Sequence, residues 1–164
     1  MQLLLIRHGA AVARGTSGVA DDDRPLTPKG RKKFQAAAAG LRRIVDRPDL
    51  LLTSPLPRAR ATAEIAAQAF GRIEPRPEPA LAGDSVSRIM AALEKVAESE
   101  LVAVVGHEPL LSGLLADLLG TRNAGRLEFK KGGAALVDLP RGPAAGGNLI
   151  WFVKPRILRT LAKD

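Results

Sequence analysis

Residues 3–9 read LLLIRHG: four aliphatic side chains in a row, then a guanidinium, an imidazole and a glycine. An apolar run this short, bounded by a charge and a glycine, is the pattern of a strand buried on both faces, as in a parallel sheet covered by helices. In such sheets ligands bind in the crevice beyond the carboxyl ends of the strands. Arg7, His8 and Gly9 fall at that end. The pattern recurs twice, with LLLT at 50–53 running into Ser54 and Pro55, and LVAVV at 101–105 running into Gly106 and His107.

Between these runs the helical period takes over. Thr27 and Pro28 are placed to cap and start a helix reaching Val45, and SPLPRARATAEIAAQAF at 54–70 gives a turn and a helix ending near Gly71. Val86, Ile89, Met90 and Leu93 share one face of a helix from Asp84 or Ser85 to about Ser99. EPLLSGLLADLLG at 108–120 is an apolar helix stopped by Gly120. Residues 12–26 read as a polar loop, and 72–83, with three prolines, as mostly irregular. AALVDLP at 134–140 and LIWFVKP at 149–155 read as two strands of a hairpin.

Strands alternating with helices predict one α/β domain over residues 1–164. Its architecture is expected to be a three-layer sandwich: a mainly parallel central sheet, helices on both faces, and the C-terminal hairpin at or near the sheet edge. A content of 46% hydrophobic residues in 164 is enough for a single core.

The charge balance, 25 Lys and Arg against 17 Asp and Glu, favours anionic partners such as phosphate esters, acidic proteins or nucleic acid. Only 3% of residues are aromatic and none is Tyr, which argues against a single-strand nucleic-acid binder with stacking platforms. The absence of Cys excludes disulfides, zinc-thiolate sites and a thiol nucleophile. The apolar run after Met1 is too short for a signal peptide or a membrane span, so a soluble cytoplasmic protein without a membrane partner is expected.

Both histidines of the chain stand at equivalent strand ends, with two arginines, Arg7 and Arg58, at matching positions. Arg7 adjoins a buried run, where an unpaired guanidinium is costly without an anionic partner, and Arg58 opens the helix after the second strand. Two guanidiniums and two imidazoles suit a phosphoryl group, whose oxygens match Arg forks. One imidazole can attack phosphorus and the other can donate to the phosphoryl oxygens. These residues alone do not say which does which. Asp21 to Asp23 and Glu108 offer carboxylates for a metal, but Arg7 and Arg58 would repel the ion, so neither metal nor cofactor is expected.

The motifs R-H-G at Arg7–Gly9, S-P-x-x-R-A-x-x-T-A at Ser54–Ala63 and G-H at Gly106–His107 resemble those of the histidine phosphatase (phosphoglycerate mutase-like) superfamily. RPLTPKGR at 24–31, LAGD at 81–84, VGHEPLLSGLL at 105–115 and WFVKPRILRTL at 151–161 are similar to its short SixA-like phosphohistidine phosphatases. The resemblance implies an α/β sandwich, a phosphorylated nucleophile at His8, a phosphoryl clamp of Arg7 and Arg58, and a pocket completed by His107. Gly9 lets the chain approach the phosphate. Arg24 is either a third phosphoryl contact or a partner of Asp21 to Asp23.

Asp84 and Glu108 are the candidate proton donors, with helix capping and a first-turn helix position as their alternative explanations. The short connection between Gly71 and Asp84 leaves no room for a large helical lid, and an open site suits a phosphorylated side chain on a folded partner. Protein phosphohistidine is therefore the expected substrate. A broad phosphatase of sugar phosphates, nucleotides or polyphosphate is the alternative, and a basic module binding phosphoprotein or nucleic acid without turnover is the alternative of another class. Ala10 departs from the pattern, since relatives often carry a polar or acidic residue there.

Overall fold

The computed structural model describes residues 1–163. Six strands, β1 (Gln2–Arg7), β2 (Leu50–Thr53), β3 (Pro75–Pro77), β4 (Leu101–Gly106), β5 (Ala134–Asp138) and β6 (Asn148–Val153), form one sheet in the order β3-β2-β4-β1-β5-β6. β3, β2, β4 and β1 run parallel; β5 and β6 are antiparallel to their neighbours. The helices are α1 (Pro28–Leu41), α2 (Pro57–Ala69), α3 (Val86–Glu94), α4 (Leu110–Leu118) and α5 (Pro155–Leu161).

Period-two alternation in the buried strands creates the three layers. Leu4 and Ile6 of β1 pack with Phe34 and Leu41 of α1, Ala63 and Ala66 of α2, and Leu158 of α5. Leu3 and Leu5 pack on the other face with Ile89 and Leu93 of α3 and Leu111, Leu114 and Leu115 of α4. Each fully buried Leu or Ile contributes about 1.5–3 kcal/mol, so the strands with apolar side chains on both faces are the ones held at the centre.

Several boundaries differ from the sequence expectations. Thr27 caps α1 through Gly30 N at 2.9 Å, but the helix closes at Leu41. Arg43 and Ile44 donate to the carbonyls three residues back, the tightened bonding of a helix end, and Val45 stays buried beyond it. α3 likewise ends at Glu94 and continues to Ser99 as turns bonded three residues back. Residues 72–83 are not wholly irregular, because Pro75–Pro77 add a parallel edge strand. Glu78 N donates to Thr53 O, so Arg76 and Glu78 turn their backbone groups toward β2 while both prolines face outward, where no N–H is required. The loop over 12–26 is pinched by an Ala11–Leu26 bridge and contains a 3₁₀ turn at Asp21–Asp23.

The hairpin lies at the edge as expected, with β6 outermost, and the pattern-based elements stop short of α5. Pro155 at its first position was the available signal. α5 lies on α1 so closely that a Cβ at Gly40 would sit 1.9 Å from Leu158 O. A Gly to Ala change inside a helix normally stabilises. Here Gly40→Ala is expected to destabilise by about 1–3 kcal/mol, read as a lower thermal midpoint, because α5 must be pushed away.

Candidate active site

The parallel register between β1 and β4 builds the centre of the site. Arg7 is paired with Gly106, so the next residues, His8 and His107, emerge side by side with ring centroids 5.0 Å apart. β2, on the other side of β4, ends one step away: Ser54 N donates to Val105 O, and Ser54 Oγ lies 2.7 Å from His107 Nε2. Three strand ends that the sequence marks separately thus meet at one point.

Each imidazole is held by one nitrogen. His8 Nδ1 lies 2.7 Å from Gly9 O; a carbonyl can only accept, so Nδ1 carries the proton and Nε2 keeps its lone pair. The Gly9 peptide is fixed in turn, its N–H donating to Thr62 Oγ1 at 3.0 Å while Thr62 donates to Arg58 O. Ser54 Oγ accepts from Leu56 N at 3.3 Å, and His107 Nε2 is the one acceptor among the described residues within reach of its hydroxyl proton, so the hydroxyl donates to that nitrogen. That assignment puts the His107 proton on Nδ1, a buried atom without a partner among the described residues.

The cavity around them, about 360 Å³, is lined by Arg7, Arg14, Arg24, Arg58 and Lys131 as well as both histidines, with Glu108 the sole carboxylate on its wall among the described residues. Arg7 donates to Phe129 O, and Arg58 donates to Asp21 O at 3.1 Å; the Nε of each is buried without an acceptor among the described residues. Arg24 lines the cavity, and its Nε donates to Asp21 Oδ1 at 2.8 Å, the carboxylate pairing that was one of its two expected roles. Glu108 accepts from Ser112 Oγ at 2.6 Å and from Phe129 N at 3.4 Å. Gly9 and Ala10 line a neighbouring cavity. Asp84 is exposed, off this cavity, and the residue that precedes α3 is Ser85.

Sequence reading passed over Lys131 and gave no role to Ser54 or Thr62, both contained in its second motif; the exposed Arg14 also stands on the cavity wall. Lys131 arrives because β5 is antiparallel to β1: the loop entering β5 stands where β1 leaves, and Gly132 N donates to the carbonyls of Arg7 and His8. The Lys130–Gly133 run was its signal, legible only once β5 is placed beside β1.

Both imidazoles are kept neutral. Burial lowers His8 to about 4, assisted by the Arg58, Arg7 and Lys131 charges against the opposing hydrogen bond to Gly9. Burial lowers His107 to about 3, assisted by His8, Arg58, Arg7 and Arg24. In the unfolded chain each titrates near ~6.5, so as pH falls the unfolded state binds protons first. The stability these groups contribute is complete above about pH 6.5 and drains away as pH drops toward 4 for His8 and 3 for His107, on the order of 3 kcal/mol for the first and about 5 kcal/mol for the second. Thermal unfolding from pH 7 to pH 4 checks this: the midpoint is expected to fall more steeply in the wild type than in His8→Asn/His107→Asn, and equal slopes would contradict it.

No helix among the described residues is long and apolar enough to cross a membrane. The profile of the histidine phosphatase superfamily (branch 1) matches residues 3–83, which carry the first two motifs. An uncharacterized protein of Picosynechococcus sp. is 35% identical over 147 residues, 88% of this chain and 87% of its own length. The structure of the protein histidine phosphatase SixA in complex with tungstate superposes with a TM-score of 0.81 at 28% identity, over 96% of this chain and 99% of that one. The crystal structure of SixA from Agrobacterium tumefaciens gives 0.78 at 26% identity, over 94% and 97%. Fold, motif order and these likenesses agree: the chain belongs to the histidine phosphatase superfamily and is a SixA-like phosphatase.

Proposed function

We propose that the protein removes the phosphoryl group from phosphohistidine on a protein substrate, through a covalent phosphohistidine at His8. The observation that carries this reading is the His8 tautomer. Nδ1–H is committed to Gly9 O, and Nε2 is an unprotonated base inside a cationic cavity.

In the first step the Nε2 lone pair attacks phosphorus, forming a P–N bond as the bond to the substrate imidazole breaks and its electron pair leaves with that ring. The arginines and His107 Nδ1–H donate to the phosphoryl oxygens as charge gathers on them, and because they are already oriented they reorganise little. Water then attacks the phosphorylated His8, the P–N bond returns its electrons to Nε2, and inorganic phosphate leaves. Chemistry of this kind draws on the chain's own side chains.

Support for the substrate class comes from the leaving group. Both oxygens of Glu108 already accept hydrogen bonds, and Asp84 stands off the cavity, so we assign Glu108 to holding the Phe129 peptide that receives Arg7. A departing imidazole, with a reference pKa near ~6.5, leaves without a dedicated acid, whereas an alkoxide does not. The connection from Gly71 to Ser85 is taken up by β3 and a 3₁₀ turn at Pro79–Ala82, with no helix to close over the histidines.

Rates on a histidine-phosphorylated phosphotransfer domain, compared with sugar phosphates, nucleotides and polyphosphate, test the proposal. The phosphoprotein is expected to give the highest kcat/KM, and a sugar phosphate or nucleotide in first place would overturn the substrate assignment. Ser54→Ala tests the tautomer: it leaves His107 free to carry its proton on Nε2, and kcat is expected to fall about tenfold with KM little changed. Ser54→Thr, which keeps the hydroxyl, is expected to recover most of the loss.

A further inference from the structure

The charge of the chain is unevenly placed. Residues 28–45 and 154–164 hold ten of the 25 Lys and Arg but one of the 17 Asp and Glu, so the remainder carries 15 cations against 16 carboxylates. In the fold these segments are one surface, since α1 and α5 pack together at the Gly40–Leu158 contact. Nearly all of the protein's excess positive charge therefore lies on one side of the sheet.

A groove follows the seam. Its inner part, about 240 Å³, has Lys33, Lys131 and Arg159 around a floor of Phe34, Ala37 and Pro155. The outer part, about 610 Å³, continues past Ala36 and Ala39 to Arg156 and Lys163. Arg159 lines both parts, and Lys131 lines both the inner part and the cavity of His8. The track thus adjoins the cavity of the histidines at Lys131 and, from Gly30 to Ala39 along α1, covers about 14 Å. Among the described residues none of its cations takes part in an ion pair, and no carboxylate lines it.

We propose that this groove is a docking site for an acidic amphipathic helix of the phosphoprotein substrate, laid along the α1–α5 seam with its phosphohistidine reaching the cavity. The proposal rests on the substrate class assigned above and adds where that partner binds. The length of the track exceeds what one phosphoryl group occupies. Its accessible floor, Ala36, Ala39 and Pro155, is a shallow apolar bed for a helix ridge, while the flanking Lys and Arg match carboxylates spaced three or four residues apart. A strand of nucleic acid would use the cations but leave that apolar floor without a stacking aromatic on the surface, Phe34 being buried. Complementary charge on such a surface acts mainly on the encounter rate, and so on salt dependence.

The test is Lys33→Glu/Arg159→Glu, two positions outside the cavity of the histidines. On a histidine-phosphorylated phosphotransfer domain with an acidic helix, kcat/KM is expected to fall at least about tenfold at low salt, mostly through KM, and to lose much of its salt dependence. On p-nitrophenyl phosphate the variant is expected to match the wild type. An equal loss on both substrates, or none on the phosphoprotein, overturns the docking site. Binding separates it from the catalytic reading: a fluorescein-labelled, unphosphorylated acidic amphipathic peptide is expected to bind wild type and His8→Ala alike and to bind the double variant at least about tenfold more weakly. Equal binding of the peptide's Glu→Gln version, or tighter binding of a DNA oligonucleotide of similar length, would overturn the inference even if the enzyme hydrolyses phosphohistidine. Conversely, a wild type that binds the acidic peptide as expected and turns over only small esters would retain the groove and refute the substrate class.

Discussion

His8→Ala is expected to reduce phosphatase turnover by at least about a thousandfold and to abolish the trapped intermediate. Removing a nucleophile forfeits a reaction path, whereas removing one stabilising contact forfeits only its share of the barrier. The wild type, mixed with radiolabelled substrate and quenched in alkaline detergent, is expected to retain label that is released by acid, as a phosphoramidate is. His8→Ala is expected to retain none. His107→Ala is expected to turn over slowly and still to take up label, because its loss removes a donor and leaves the attacking atom in place. Label on His107 in the His8→Ala protein would reverse the assignment of the two rings, and full activity in His8→Ala would end the mechanism.

The second large effect is expected at Arg58. Arg58→Met should lower kcat/KM by about 10²–10³, the usual consequence of deleting one preorganised donor to a transition-state oxyanion. Stability is expected to move the other way. Burial and then the Arg24 charge hold the Arg58 guanidinium below its usual range, so the free protein bears a cost for keeping it charged there. Methionine is of similar reach, fills the space and carries no charge, and the thermal midpoint of the free protein should hold or rise while activity falls. Weaker vanadate inhibition should accompany it. A variant that loses stability along with activity would mean that Arg58 serves the fold through Asp21 O, and not the phosphoryl group.

Much of this was legible in the chain because the decisive elements bury apolar residues on both faces. LLLIRHG and LVAVVGH each combine a run that must be central with a polar residue that must then emerge at its end, so fold and site are read from the same few residues. What escaped depends on long-range placement. Pro75–Pro77 look like a strand breaker until β2 supplies an edge whose bonding leaves both prolines outward. Lys131 and Thr62 are marked locally, by a glycine-bounded run and by a motif, but their contacts are not; one reaches the site through the antiparallel entry to β5, the other through the approach of α2 to Gly9. Asp84, attractive by its motif, is carried to an exposed position by the loop before α3.

The position of β1, between parallel β4 and antiparallel β5, has a consequence for when the protein can stop working. The spacing of the two imidazoles is set by the Arg7–Gly106 pairing, a backbone property of the two innermost parallel strands, with no hinge or loop between the strands and the rings. Fraying of β3 or β6 at the sheet's edges leaves that pairing untouched. Amide exchange in β1 and β4 should therefore be among the slowest in the chain, and catalytic competence in denaturant should persist until the whole domain gives way.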